Sequence, residues 1–65
     1  MEHQFYILTR NTEFIRVGQW IAHNRLRYEV HLNRTRFWVP EGPLLTEFLL
    51  RWRDTCPPVE DNELV

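Results

Sequence analysis

The segment from Leu26 to Val39 constrains the fold of this chain more than any other, because apolar and polar residues alternate along it. The alternation is clearest in Leu26-Arg27-Tyr28-Glu29-Val30-His31-Leu32. A period of two predicts a strand with one buried and one exposed face. Asn33-Arg34-Thr35 has the composition of a turn, and residues 36–39 return as a second strand. We therefore predict a β-hairpin over residues 26–39.

The alternation also assigns side chains to faces of the hairpin. Tyr28 falls with the apolar residues and is predicted to lie in the core, whereas Arg27 and His31 project from the exposed face. Arg34 lies in the predicted turn. Either Phe37 or Trp38 must face outward, because the two are adjacent in a strand.

An amphipathic helix is predicted after the hairpin. Pro43 suits its first position, because an N–H there would have no partner within the helix. One face of the helix is apolar and consists of Leu44, Leu45, Phe48, Leu49 and Trp52. Glu47 and Arg51 form an i, i+4 ion pair on another face. Pro57-Pro58 prevents the helix from continuing.

The first third of the chain is less definite. Gln4–Thr9 is rich in β-branched and aromatic residues and predicts a strand. Residues 13–23 have two readings. The spacing of Phe14, Val17, Gly18 and Ile21 indicates a helix, but Gly18-Gln19 could equally be a turn between two strands.

Together these elements predict a small α+β protein, with an antiparallel hairpin or sheet packed against a C-terminal amphipathic helix. A winged-helix-like arrangement is one form this could take. Residues 1–54 are predicted to be one compact domain, and residues 55–65 an acidic, flexible tail. With 65 residues, the chain would bury only about 60 % of the surface that its unfolded form exposes.

The composition argues against catalysis and metal binding. His3, His23, His31 and the lone Cys56 lack the paired spacing of a zinc site, and the only glycines, Gly18 and Gly42, make no phosphate-binding loop. We therefore expect a binding module that is not an enzyme and has no metal or cofactor. A single thiol, with neither a signal peptide nor a membrane-spanning apolar stretch, predicts a cytoplasmic protein without a membrane partner.

Charge is distributed unevenly along the chain. Residues 1–53 hold all eight arginines against five acidic residues, a net +3, whereas residues 54–65 hold four acidic residues and no cation. Four of the arginines lie in or beside the hairpin: Arg25, Arg27, Arg34 and Arg36. Arginine side chains on a β-ribbon can contact phosphates or enter a groove of DNA.

From Val17 to Trp52 the pattern resembles the winged-helix DNA-binding domains of phage excisionases and of mercury-resistance-type regulators. The matching residues are Val17, Trp20-Ile21, His23-Asn24-Arg25-Leu26, Asn33-Arg34-Thr35-Arg36-Phe37-Trp38-Val39-Pro40, Leu45 and Phe48-Leu49. The resemblance implies that Gln19, His23 and Arg25 lie on or just past a helix in the major groove. It also implies that Arg34 and Arg36 are wing contacts. Only about seven residues separate Thr9 from Val17, so the family's first helix is missing.

Two functions follow as hypotheses. The first is a small DNA-binding accessory or regulatory protein of phage or prophage type, which binds double-stranded DNA through Gln19, His23, Arg25, Arg27, Arg34 and Arg36. The alternative is a small inhibitor or adaptor that binds an acidic protein surface, for example a phage-encoded protein that blocks a host enzyme. A homodimer through Phe48, Leu49 and Trp52 is compatible with either function.

Overall fold

The computed structural model describes residues 1–59. Its elements in chain order are β1 (Glu2–Leu8), α1 (Phe14–His23), β2 (Tyr28–Val30), β3 (Arg34–Pro40) and α2 (Pro43–Trp52). The three strands form one sheet in the order β1-β3-β2, and both pairings are antiparallel. The predicted α+β class is confirmed.

The central strand is β3, which pairs with β1 from Glu2↔Pro40 to Leu8↔Arg34. On its other side β3 pairs with the short β2, from Tyr28↔Phe37 to Val30↔Thr35. Because β1 and β2 both run antiparallel to β3, they are parallel to each other and are connected through α1. The chain thus forms a split β-α-β unit in which β3 lies between the two parallel strands.

Residues 14–23 form a helix, which settles the two readings of this segment. Its buried side chains are Val17, Trp20 and Ile21, as expected of one helix face turned to the core. The helix ends in a Schellman motif, in which the Leu26 N–H donates to the Ile21 carbonyl and the Arg25 N–H to the Ala22 carbonyl. Arg25 therefore stands at the position that glycine usually occupies, and its φ is 55°.

The second helix begins at Pro43, as predicted. Gly42 precedes it with φ 123° and ψ −154°, a backbone conformation essentially restricted to glycine. Phe48 and Trp52 point into the core. The predicted ion pair is present, with 3.8 Å between Arg51 Nε and Glu47 Oε2.

The core is an aromatic cluster between the two helices and one face of the sheet, hereafter the inner face. Its rings belong to Phe5, Trp20, Phe37, Phe48 and Trp52, with centroids of neighbouring rings 4.5–6.2 Å apart. Such aromatic pairs stabilise by roughly 0.5–1.5 kcal/mol each beyond the area they bury. Phe48 and Trp52 are buried in their own chain, so these two side chains are not exposed for contact with a second copy.

The hairpin is present, but its details differ from the prediction. Residues 31–33 make the turn and Arg34 begins β3, so Arg34 is not a turn residue. Tyr28 lies on the inner face, opposite Phe37, yet it is exposed, so its predicted core role is wrong. Tyr28 is exposed because the residues of α1 opposite it, Gly18 and Ala22, are too small to cover it. They leave an apolar groove of about 210 Å³ between α1 and β2.

The compact domain extends beyond the predicted boundary at residue 54. Cys56 is buried in the core. The Tyr6 N–H donates to the Pro57 carbonyl at 3.1 Å, and the Val59 N–H donates to the Gln4 carbonyl at 3.0 Å. Residues 55–59 thus run along the outer edge of β1, and we name them the closing segment. The boundary predicted at residue 54 is too early, because the acidic composition of the tail does not reveal that residues 55–59 bond to β1 and bury Cys56. Residues 60–65 of the predicted tail lie outside the described residues.

Candidate nucleic-acid interface

The face of the sheet that points away from both helices carries half of the predicted binding residues, and we name it the outer face. Strand alternation and register place nine side chains there: Gln4, Tyr6, Leu8, Arg27, Glu29, His31, Arg34, Arg36 and Trp38. They form rows across the three strands, such as Tyr6–Arg36–Glu29. Three of the six predicted site residues, Arg27, Arg34 and Arg36, are therefore brought together.

Trp38 is the aromatic residue that faces outward, while Phe37 lies fully in the core. Although it belongs to the outer face, Trp38 is only 8 % exposed. The guanidinium carbon of Arg27 lies 3.9 Å from the centroid of its ring. This cation–π contact covers the indole and holds the Arg27 guanidinium in place above the sheet.

Arg34 is held in a similar way. Its guanidinium carbon lies 5.0 Å from the centroid of the Tyr6 ring. Tyr6 comes from β1, which pairs with β3 from the side opposite β2. Aromatic side chains from two different strands therefore each support one arginine of the hairpin.

Arg36 lies in the middle row and forms an ion pair with Glu29, at 2.6 Å between Arg36 Nη2 and Glu29 Oε1. The hydrogen bond from Arg36 is the main cause that lowers the pKa of the Glu29 carboxyl, and a smaller contribution comes from His31. His31 Nε2 lies 3.5 Å from the same carboxylate oxygen. Arg36 Nε is buried and has no hydrogen-bond partner among residues 1–59.

The outer face is consequently basic. Its three arginines face one carboxylate in the middle row, and Glu2 lies at the far end of β1. Arg36 is neutralised by Glu29, whereas Arg27 and Arg34 contact aromatic rings and keep their charge uncompensated in the described part of the chain. Two supported cations therefore stand on either side of a neutral ion pair.

The remaining predicted residues lie elsewhere. Gln19 and His23 belong to α1, on the helical layer, and line an open groove of about 910 Å³ between α1 and α2. Arg25 is exposed in the loop that follows α1. The structure therefore does not place all six predicted residues on one surface, because α1 packs against the inner face of the sheet.

The groove between the helices is lined by charged and aromatic residues, but its polar groups are largely paired with one another. Trp20 Nε1 donates to Glu47 Oε2 at 2.9 Å, and the same oxygen lies 3.8 Å from Arg51 Nε. Arg16 is 3.9 Å from Glu13 at the start of α1. These pairings leave the groove without a concentrated charge of one sign.

Sequence reasoning missed the contribution of β1 to the outer face. Tyr6 supports Arg34, and Gln4 lies beside Trp38 in the next row. Alternation within Gln4–Thr9 would have placed Gln4 and Tyr6 on one face of a strand. That this face is the arginine-bearing one depends on the β1–β3 register, which no local pattern encodes.

Comparison of this chain with protein-family models, curated proteins and solved structures finds no match. Within the described range, no helix is long and apolar enough to cross a membrane. Residues 1–59 also contain no group of three or more His, Cys, Asp or Glu side chains that could hold a metal ion.

Proposed function

We propose that this protein is a small DNA-binding accessory or regulatory protein that contacts the backbone of a duplex with the outer face of its sheet. One observation carries the proposal: Arg27, Arg34 and Arg36 lie on one face, and two of them are supported by aromatic rings. The resemblance to excisionase-type domains supports the same function for Arg34 and Arg36.

The chemistry of the supported arginines suits phosphate. A guanidinium group offers a planar fork of donors that matches two phosphate oxygens. Stacking on Trp38 and Tyr6 restricts the side chains of Arg27 and Arg34 before any ligand binds. Less rotamer entropy is then lost on binding, which raises affinity for a given number of contacts.

The aromatic residues of the outer face favour a duplex over a single strand. Proteins that hold single-stranded nucleic acid stack bases on exposed aromatic rings. Here the Trp38 ring is covered by Arg27, so a base has no access to it. The face therefore offers cations to a phosphate backbone and no stacking platform.

The mode of contact differs from that of a winged helix. There a helix enters the major groove and the hairpin contacts the flanking backbone. In this chain α1, with Gln19 and His23, lies on the layer opposite the outer face. We therefore assign binding to the sheet alone and expect little preference for DNA sequence, because phosphate contacts carry no direct sequence information.

The test is binding of a fluorescent duplex of about 25 base pairs between 50 and 200 mM salt, a range over which phosphate contacts change affinity steeply. Phosphate contacts by the two uncompensated cations, Arg27 and Arg34, predict a log–log slope near −1.8, and the Arg27→Ala/Arg34→Ala variant should lose most of this salt dependence. Arg16→Ala/Arg53→Ala is the matched control, because it removes the same charge from exposed positions on the helical layer.

Equal loss of affinity in both double variants would show that net charge matters and the outer face does not. Tighter binding of a single strand of the same length would contradict the preference for a duplex. An absence of binding at 50 mM salt and micromolar protein would remove the proposal itself. Circular dichroism of each variant confirms that the fold is retained.

A second candidate function, an inhibitor or adaptor that binds another protein, has one observation in its favour. Tyr28 and Val30 in β2 and Leu32 in the turn that follows expose apolar side chains. The tryptophans do not add to this surface, since Trp20 and Trp38 are both buried. A chain that fails to bind DNA but is captured by an acidic protein through Arg27 and Arg34 would favour this function.

A further inference from the structure

The outer edge of β2 has no neighbouring strand in the described part of the chain. The opposite edge of the sheet is covered, because β1 is bonded to the closing segment. Along β2, Arg27 and His31 use backbone groups to bond Trp38 and Arg34 of β3. In an antiparallel ladder the intervening residues alternate, so Tyr28 and Val30 direct their N–H and C=O groups away from the sheet.

Apolar side chains accompany these free backbone groups. Tyr28 is 55 % exposed, Val30 72 % and Leu32 94 %. Tyr28 and Val30 also form one wall of the apolar groove against α1. An exposed edge with such side chains is a template for pairing with another strand. Natural proteins normally protect such edges from pairing with charged residues or proline. In β2 the only charged residue is Glu29, which lies between Tyr28 and Val30.

We propose that the strand covering this edge is β2 of a second copy of this chain, paired antiparallel about a twofold axis through Val30. In this register Val30 faces the partner's Val30, and Tyr28 lies beside the turn of the partner. The exposed apolar side chains of Tyr28 and Val30 are then both at the new contact. The free N–H and C=O groups of Val30 bond their counterparts across the axis.

Charge complementarity on the outer side supports pairing between identical copies. With Val30 on the axis, Glu29 lies opposite the partner's His31, an acidic group facing a basic one. An axis through Glu29 would set Glu29 against its own copy, and like charges directly opposite are destabilising. An axis through Tyr28 would set Val30 against the partner's Leu26, which already packs against its own core.

Pairing would join two three-stranded sheets into one sheet of six strands. Because the axis relates the two copies within one sheet, both outer faces point to the same side, and six arginines form one basic surface. A small domain also gains stability from association, since each copy buries only about 60 % of its unfolded surface on its own. Dimerisation requires no DNA, so it is tested independently of the proposed function.

Sedimentation without nucleic acid, from about 1 to 200 μM protein, tests the association. Wild type should move from monomer toward dimer as concentration rises. Val30→Lys should weaken association at least about tenfold, because two like charges meet on the axis. Leu50→Lys is the matched control, since Leu50 is an exposed apolar residue of α2, and it should associate as wild type does. A chain that remains monomeric at 200 μM overturns the proposal.

Cross-linking tests the register. Directly opposed bonded residues have Cα atoms about 5.5 Å apart, within the range that a disulfide spans. Val30→Cys should therefore form a disulfide-linked dimer under mild oxidation. Tyr28→Cys should not, because only Val30 faces its own copy across the axis. Cys56 is buried and does not compete. Efficient cross-linking of Tyr28→Cys with none of Val30→Cys would overturn the proposed pairing.

Discussion

The two edges of the sheet differ in how they are covered, although both belong to the same fold. Phe5, Phe37 and Tyr28 lie in one row across β1, β3 and β2, with their side chains on the inner face. Phe5 is 7 % exposed and Tyr28 55 %. Beyond Phe5, the backbone of β1 is bonded to the closing segment, whereas nothing in residues 1–59 covers β2.

This contrast shows that strand alternation and burial are separate properties. Alternation fixes the face on which a side chain lies, and it placed Tyr28 and Val30 on the inner face. Burial depends on whether a helix extends over that position. Gly18 and Ala22 on α1 are too small to reach β2, so the inner face is covered at one edge and open at the other.

The largest expected effect comes from truncating the two aromatic residues at the ends of the shared row. Phe5→Ala should lower the free energy of unfolding by about 3–5 kcal/mol, because it removes a buried ring and leaves a cavity. Tyr28→Ala should cost less than about 1 kcal/mol. Urea unfolding at low micromolar protein measures both. Similar losses for the two variants would show that the β2 edge is covered in solution.

Substitution of Cys56, which is buried in the closing segment, tests how much the cover on the β1 edge contributes to stability. Burial raises the pKa of its thiol to about 12, so the protonated, unreactive form prevails in the folded protein. Cys56→Ser should cost about 1–3 kcal/mol, because a hydroxyl without a partner would replace a buried apolar thiol.

The same thiol reports on how firmly the edge is covered. Alkylation of Cys56 at pH 8 should be slow and should follow unfolding when urea is added. Because the folded pKa is raised, stability should fall as pH rises from about 9 toward 12. Rapid alkylation under native conditions would indicate that the closing segment opens readily.

Gly18 tests the groove beside the open edge. A Cβ built at this position has no heavy atom within 4 Å, so a methyl group can be added without a clash. Gly18→Ala should raise the free energy of unfolding by roughly 0.5–1 kcal/mol, since it removes backbone freedom from the unfolded chain and improves helix propensity. A destabilised Gly18→Ala would show that α1 lies closer to β2 than the groove implies.

Val30 should give the smallest effect. Val30→Thr keeps the shape of the side chain and its preference for a strand, and Val30 is exposed. The change in unfolding free energy at 1 μM protein should stay within about 0.5 kcal/mol. A larger loss that grows with protein concentration would assign the cost to the dimer instead of the folded monomer.

Local patterns predicted most of the elements. Period-two alternation found the hairpin, and Pro43 with the following apolar spacing gave the start of α2. The apolar spacing from Phe14 to Ile21 is that of a helix, but Gly18 is also compatible with a turn. In the structure the segment is helical, and Val17 and Trp20 are buried against the sheet. Tertiary packing settled what propensity left undecided.

The candidate site was predicted only in part, because it depends on contacts between distant segments. The alternation placed Arg27 on the exposed face of the hairpin. That Trp38 and Tyr6 support arginines depends on the positions of three strands, and Tyr6 is thirty residues from the Arg36 it faces. Gln19 and His23 were grouped with the arginines through the winged-helix resemblance, which does not anticipate that α1 packs behind the sheet.

The order of the strands also has a consequence for folding. β2 and β3 are joined by a three-residue turn, whereas the paired residues of β1 and β3 are 26–38 residues apart in the chain. Closing the short loop costs little entropy and hairpins form within microseconds, so the hairpin is available before β1 can dock. We expect β2, which contributes little to equilibrium burial, to act mainly as an early template that holds β3 extended. Substitutions in β2 would then slow folding more than they speed unfolding.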